Sequence, residues 1–188
     1  MSMEGKMLRI DPVVYSRRPS DKRSDAEEAI YDRLEKLGIP FQRVDHELAD
    51  NMDKCLEVEK VLGHEICKNL LLTNRQMTRY YMCLMPGQKP FRTKHFSKRV
   101  NSSRLSFAGE DKLAEFLRTQ PGSLSALELI FDTQKRVQLV IDRELLDDEL
   151  ISGHPGIATS TLTLSMKDMI RYAEDCGHPP VFIDLACD

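Results

Sequence analysis

The 188-residue chain has no tryptophan, and aromatic residues make up only 6% of it. That scarcity disfavours a surface built to stack many nucleobases. Its five cysteines, Cys55, Cys67, Cys83, Cys176 and Cys187, include no Cys-x-x-Cys pair, and their number is odd. A disulfide framework and a structural zinc site are therefore disfavoured, and reduced thiols are expected. No run of apolar residues reaches the length of a membrane span, and the N-terminus has no signal-peptide core. A cytoplasmic protein without membrane attachment is the expectation. Nucleophile elbow, phosphate-binding glycine loop and His-Glu-x-x-His are all absent. An enzyme with this sequence does not advertise its own nucleophile, metal or cofactor.

Hydrophobic residues at 41% and charged residues at 30% suit one globular domain with a proper core. The net charge of −3 rules out a generic polyanion binder. Contact with nucleic acid must come from a local basic patch.

Residues 1–23 read as a polar, proline-broken and mobile leader, and residues 24–188 as a single domain. Ser24 and Glu27 have the spacing of a capping box, and Gly38 stops the helix they start. Phe41–His46 reads as a strand and Met52–Leu62 as a helix ended by Gly63. Ile66–Thr73 and Tyr80–Met85 are strand-like, joined by a polar link that suggests a hairpin. A helix over Glu110–Leu117, strands over Val137–Asp142 and Thr159–Leu164, a helix from Ser165 and a strand over Val181–Leu185 follow. The expected architecture is α/β (α+β), with a mixed, twisted sheet and flanking helices.

Four features carry candidate chemistry. Lys68 and Asn69 stand side by side in an apolar strand, where unpaired polar groups are costly if buried. Spacing alone favours an edge strand, kept soluble by its charge, over a catalytic lysine. Gly153-His154-Pro155-Gly156 offers a histidine that titrates near neutral pH, though its composition is that of a plain turn. Pro121-Gly122-Ser123-Leu124-Ser125 is a glycine turn able to approach a ligand closely, and again a turn is the simpler reading. Between Gln88 and Arg104 there are six basic residues and no acidic one: Lys89, Arg92, Lys94, Lys98, Arg99 and Arg104. A phosphate-gripping surface and a solvated face are equally compatible with that run. The acidic stretch from Asp142 to Glu149 has no metal-loop pattern and reads as a solvated turn.

Taken in order, several of these pieces match one family. Lys68-Asn69-Leu70-Leu71-Leu72, Arg104-Leu105-Ser106-Phe107-Ala108, Pro121-Gly122-Ser123-Leu124-Ser125, His154-Pro155 and the segment from Ser165 to Asp184 carry the match. The sequence resembles the YbaK/prolyl-tRNA editing family, especially its free-standing ProX-like (PrdX-like) members, over about Ser24 to Leu185.

The resemblance implies a partly barrel-like editing-domain fold and hydrolysis of mischarged tRNA for proline, notably alanyl-tRNA. A non-catalytic module binding tRNA or a synthetase on the same fold is the alternative. By the match, Lys68 and His154 are the catalytic positions. Asn69, Gly122, Ser123, Ser125 and Gly153 are the substrate-facing ones. Lys89, Arg92, Lys94, Lys98 and Arg99 are the expected tRNA contacts. The implied partners are the acceptor end of mischarged tRNA and prolyl-tRNA synthetase. No metal or cofactor is implied. Three positions depart from the family pattern: Ala126 replaces a proline, Glu128 a glycine and Ala158 an asparagine. All three line or flank the expected pocket, so they bear on amino-acid specificity.

Overall fold

Ser24 caps the first helix, α1 (Asp25–Lys36), and its side chain exchanges hydrogen bonds with the Glu27 backbone and carboxylate in a complete capping box. The apolar stripe of α1 buries Ile30, Tyr31 and Leu34. The second helix, α2 (Met52–Leu62), starts on Asn51 and stops on Gly63, whose φ of 77° is left-handed. The computed structural model describes residues 8–185.

Between and after these helices lie β1 (Gln42–Asp45), β2 (Lys68–Asn74), β3 (Tyr80–Met85), α3 (Thr93–Arg99), β4 (Leu105–Phe107) and α4 (Glu110–Leu117). A 3-10 helix (Ala126–Phe131) leads to β5 (Val137–Asp142), and a second one (Arg143–Asp147) to β6 (Leu150–Gly153). The chain continues through β7 (Ser160–Ser165) and α5 (Met166–Asp175) to β8 (Val181–Ile183).

The strands divide between two sheets. One is antiparallel, in the order β1-β7-β6. The other has the order β4-β2-β3-β5-β8 and is mixed. The expected hairpin joins β2 to β3 antiparallel, while β5 runs parallel to both β3 and β8. These parallel pairings are possible because long, helix-containing connections separate their strands. The five-stranded sheet ends in two three-residue edges, β4 and β8, and neither sheet closes into a barrel.

Alternation along the strands sends Leu71, Met82, Leu84, Leu139 and Ile141 to the main core, shared with α1, α4, α5 and the smaller sheet. The opposite side chains, among them Leu72, Tyr81, Cys83 and Val140, form a second core under Phe96 of α3.

The segment read as a mobile leader is attached to the domain where it is described. Ile10 bridges to His46 and Tyr15 to Arg43. The Arg18 guanidinium meets Glu28, Asp32 and Glu35. Met1–Met7, the rest of that segment, lie outside the described residues. Among the described residues no helix is long and apolar enough to cross a membrane.

Candidate functional site

A cavity of about 350 Å³ opens where the start of β2 meets the end of β6. The N-terminus of α2 and the turn before the first 3-10 helix complete its walls. Five of the seven residues expected at a reaction site line it: Lys68, Asn69, Gly122, Gly153 and His154. They come from three separate stretches of chain.

Lys68 pairs with Met85 at the first position of β2. Its ammonium donates to the Lys89 carbonyl at 2.9 Å. An ammonium has three N–H groups, so two remain for a ligand. Among the described residues, Lys68 is the one lysine or arginine on the cavity wall. Asn69 turns its amide nitrogen to the Cys67 carbonyl at 3.3 Å, and its Oδ1 is buried without a partner. A buried unpaired acceptor is costly.

His154 is buried, and its Nδ1 donates to the Ser160 carbonyl at 2.8 Å. A carbonyl can only accept, so Nδ1 carries the proton. Burial holds the ring below the ordinary histidine pKa, in its neutral form near pH 7.

The two glycines are structural necessities. Gly122 has φ +85°, and a Cβ there would lie 2.6 Å from the Asp50 carbonyl oxygen. At Gly153 a Cβ would lie 2.8 Å from that of Ser125.

Ser123 and Ser125 do not line the cavity. Both are buried. Ser125 caps the 3-10 helix and donates to the His154 carbonyl at 2.6 Å, so it acts on the wall from behind. Ala126 and Ala158 are buried as well, and the Ala158 carbonyl accepts from the Ala49 amide at 2.8 Å.

The remaining wall includes Asp50, Asn51, Met52, Cys55, Ile66, Cys67 and Leu124, none of which sequence reasoning had placed at the site. Burial pushes the Cys55 thiol up to about 11 and the Cys67 thiol up to about 12. Neither is a thiolate at neutral pH, so neither is an activated nucleophile. Among the described residues no group of three His, Cys, Asp or Glu could hold a metal ion.

The basic run divides. Lys94, Lys98 and Arg104 line an open groove of about 720 Å³ with Thr93, Ser97, Asn101 and Ser102. Arg92 and Arg99 are exposed beside it. Lys89 does not belong to that surface. Its ammonium is paired with Asp142 at 2.7 Å and Glu144 at 2.6 Å, with 9% of its side chain exposed. Its partners lie in the stretch expected to be a solvated turn, where Asp142 is buried.

The family model of the aminoacyl-tRNA editing domain matches residues 46–172. The prolyl-tRNA editing protein ProX of Acetoanaerobium sticklandii is 26% identical over 161 residues, covering 86% of this chain and 98% of that protein. The prolyl-tRNA synthetase associated domain-containing protein 1 of Danio rerio is 28% identical over 169 residues, covering 89% of each. A crystal structure described as a candidate trans-editing enzyme for prolyl-tRNA synthetase superimposes with a TM-score of 0.66 at 15% identity. That superposition covers 88% of this chain and all of the other.

Proposed function

Because the chain belongs to the aminoacyl-tRNA editing domain family, we propose that it is a trans-editing deacylase. It frees a small amino acid, alanine in the first instance, from mischarged tRNA for proline. The observation that carries this reading is the convergence of Lys68, Asn69 and His154 on one cavity.

The chemistry asks little of the protein. The scissile bond is an activated ester, so a water molecule suffices as nucleophile. The thiols of Cys55 and Cys67 are too basic to compete. Lys68 has two donors left to hold a terminal phosphate or ribose oxygen, or the negative charge that develops on the ester carbonyl. The terminal ribose hydroxyl of the tRNA helps position the water. His154, neutral with its proton on Nδ1, borders that position.

A second, small pocket answers a problem that a synthetase cannot solve by binding alone. One methylene is worth only about 1–3 kcal/mol of discrimination, so the smaller amino acid escapes rejection. Met52, Ile66, Leu70 and Leu124 furnish apolar wall for a short side chain. The exposed cations of α3 and the groove beside it, Arg92, Lys94, Lys98 and Arg99, would contact the tRNA backbone.

The test is a deacylation assay with alanyl- and prolyl-tRNA for proline. Wild type is expected to release alanine and spare proline. Lys68→Ala is expected to lose roughly 100-fold or more in rate, the scale of removing one oxyanion donor. An unchanged rate would remove Lys68 from the mechanism. A wild type inert on a panel of mischarged tRNAs would favour a binding module.

A further inference from the structure

Behind the His154 wall stands a fully buried acid that the mechanism above does not use. Glu128, on the first 3-10 helix, has no cationic partner among the described residues. Its Oε1 accepts from the Gly156 amide at 2.8 Å, and its Oε2 accepts from the Ser125 amide. Ser125 in turn touches the cavity wall twice. Its Oγ lies 2.6 Å from the His154 carbonyl, and its Cβ lies where Gly153 has no room for one. The turn from Gly153 to Gly156 is thus held at both ends by one carboxyl and one serine.

We propose that Glu128 is a positioning residue for the cavity, fixing the Gly153–Gly156 wall and with it His154. This rests on the reading of that cavity as the editing site.

Counting hydrogens defines the form in which Glu128 does this. The Ser125 hydroxyl has one proton and two oxygen neighbours, the His154 carbonyl at 2.6 Å and Glu128 Oε1 at 3.1 Å. The carbonyl can only accept, so it takes the serine proton. The longer contact then needs its proton from the carboxyl, and Glu128 donates there as a neutral acid. Burial favours that form too, raising the carboxyl well above its usual range. A glutamine has the same shape, but whichever end carries its NH2 meets a backbone N–H, that of Gly156 or that of Ser125, so it keeps one of the two grips. An alanine keeps neither grip.

The experiment compares wild type, Glu128→Gln and Glu128→Ala by correlation spectra of the His154 imidazole, recorded without substrate. Deacylation kinetics are measured on the same samples. E128A is expected to shift the His154 ring resonances and to lower kcat/KM on the order of tenfold, mainly through kcat. E128Q, with one grip left, is expected to fall between wild type and E128A in both. An E128A protein whose His154 resonances overlay the wild type overturns the proposal. So does a folded E128Q that shifts them as far as E128A. If E128A does not fold, Ser125→Ala replaces it. That change deletes only the hydroxyl on the His154 carbonyl, and unmoved resonances again overturn the proposal. Because the spectra need no substrate, a wild type without deacylase activity would count against the proposed reaction and leave this inference standing.

Discussion

At Gly122 the backbone adopts a left-handed φ of +85°, and the Asp50 carbonyl fills the space a side chain would need. Gly122→Ala therefore combines backbone strain with a clash, and is expected to cost about 2 kcal/mol. That corresponds to a Tm lower by about 4–8 °C in thermal unfolding. An unchanged Tm would mean that the turn shifts freely away from Asp50. Glu128 makes a different prediction. Its carboxyl is raised, by burial first, well above the ordinary value of 4.5. The folded chain keeps a proton that the unfolded chain releases above that value, so stability falls as pH rises between the two pKa values. The titratable groups nearest are Tyr172, whose hydroxyl donates to the Leu127 carbonyl, and His154, and burial keeps both neutral near pH 7. Glutamine carries no such proton. The Tm of E128Q relative to wild type is expected to rise as the pH is raised above 4.5. A difference flat in pH would show that the folded protein holds a carboxylate. Lys68, Asn69, Gly122, Gly153 and His154 were brought together by the family resemblance, since spacing alone favoured an edge strand and plain turns, and all five line the cavity. Asp50, Asn51 and Met52 were not legible in the sequence, since a helix start looks the same whether or not it borders a cavity. Lys89 misled because its partner Asp142 lies 53 residues away, a distance at which sequence shows no pairing.

Among the elements, α3 carries the exposed cations that the proposed tRNA contact would use. Phe96 anchors it to the larger sheet, and Lys94 and Lys98 remain exposed on the groove side. Reversing both charges, Lys94→Glu with Lys98→Glu, is expected to weaken tRNA binding. The slope of log K against log salt should flatten by about 2, one counterion per lost contact. Equal affinity at low salt would remove this face from the interface. Elements with strong local signals were readable in advance. Helices α1 and α2 carry their own caps, and β3, β5 and α4 fall over the residues that periodicity marks. Short elements were not. β4 has three residues, too few to show alternation. β6 has four, Leu150 to Gly153, and exists through its pairing with β7 rather than through propensity. The 3-10 helix over Ala126–Phe131 begins with a second capping box, Ser125 with Glu128, which escaped notice behind the glycine turn. Division into two sheets depends on contacts between distant strands, which local pattern does not encode.

For the whole molecule, the segment before α1 is part of the stability. Tyr15 exchanges two backbone hydrogen bonds with Arg43, at 2.9 and 2.7 Å, and its ring lies under the buried Arg43 guanidinium. Removing residues 1–23 uncovers Arg43 and the edge of β1. We expect a folded domain with a Tm lower by roughly 3–6 °C, since exposed ion pairs such as those of Arg18 add little and the strand pairing adds more. Circular dichroism melts would check this, and an unaltered Tm would mark residues 24–188 as an autonomous unit. The cavity draws its walls from Asp50–Cys55, Ile66–Leu70, Gly122–Leu124 and Gly153–His154. β6, which carries the last of these, is held by β7 as far as Ser165. During synthesis, then, a fragment that stops before Ser165 lacks the full pairing that holds this wall of the cleft. An editing domain of this topology would present no finished cleft to a charged tRNA until β7 had left the ribosome.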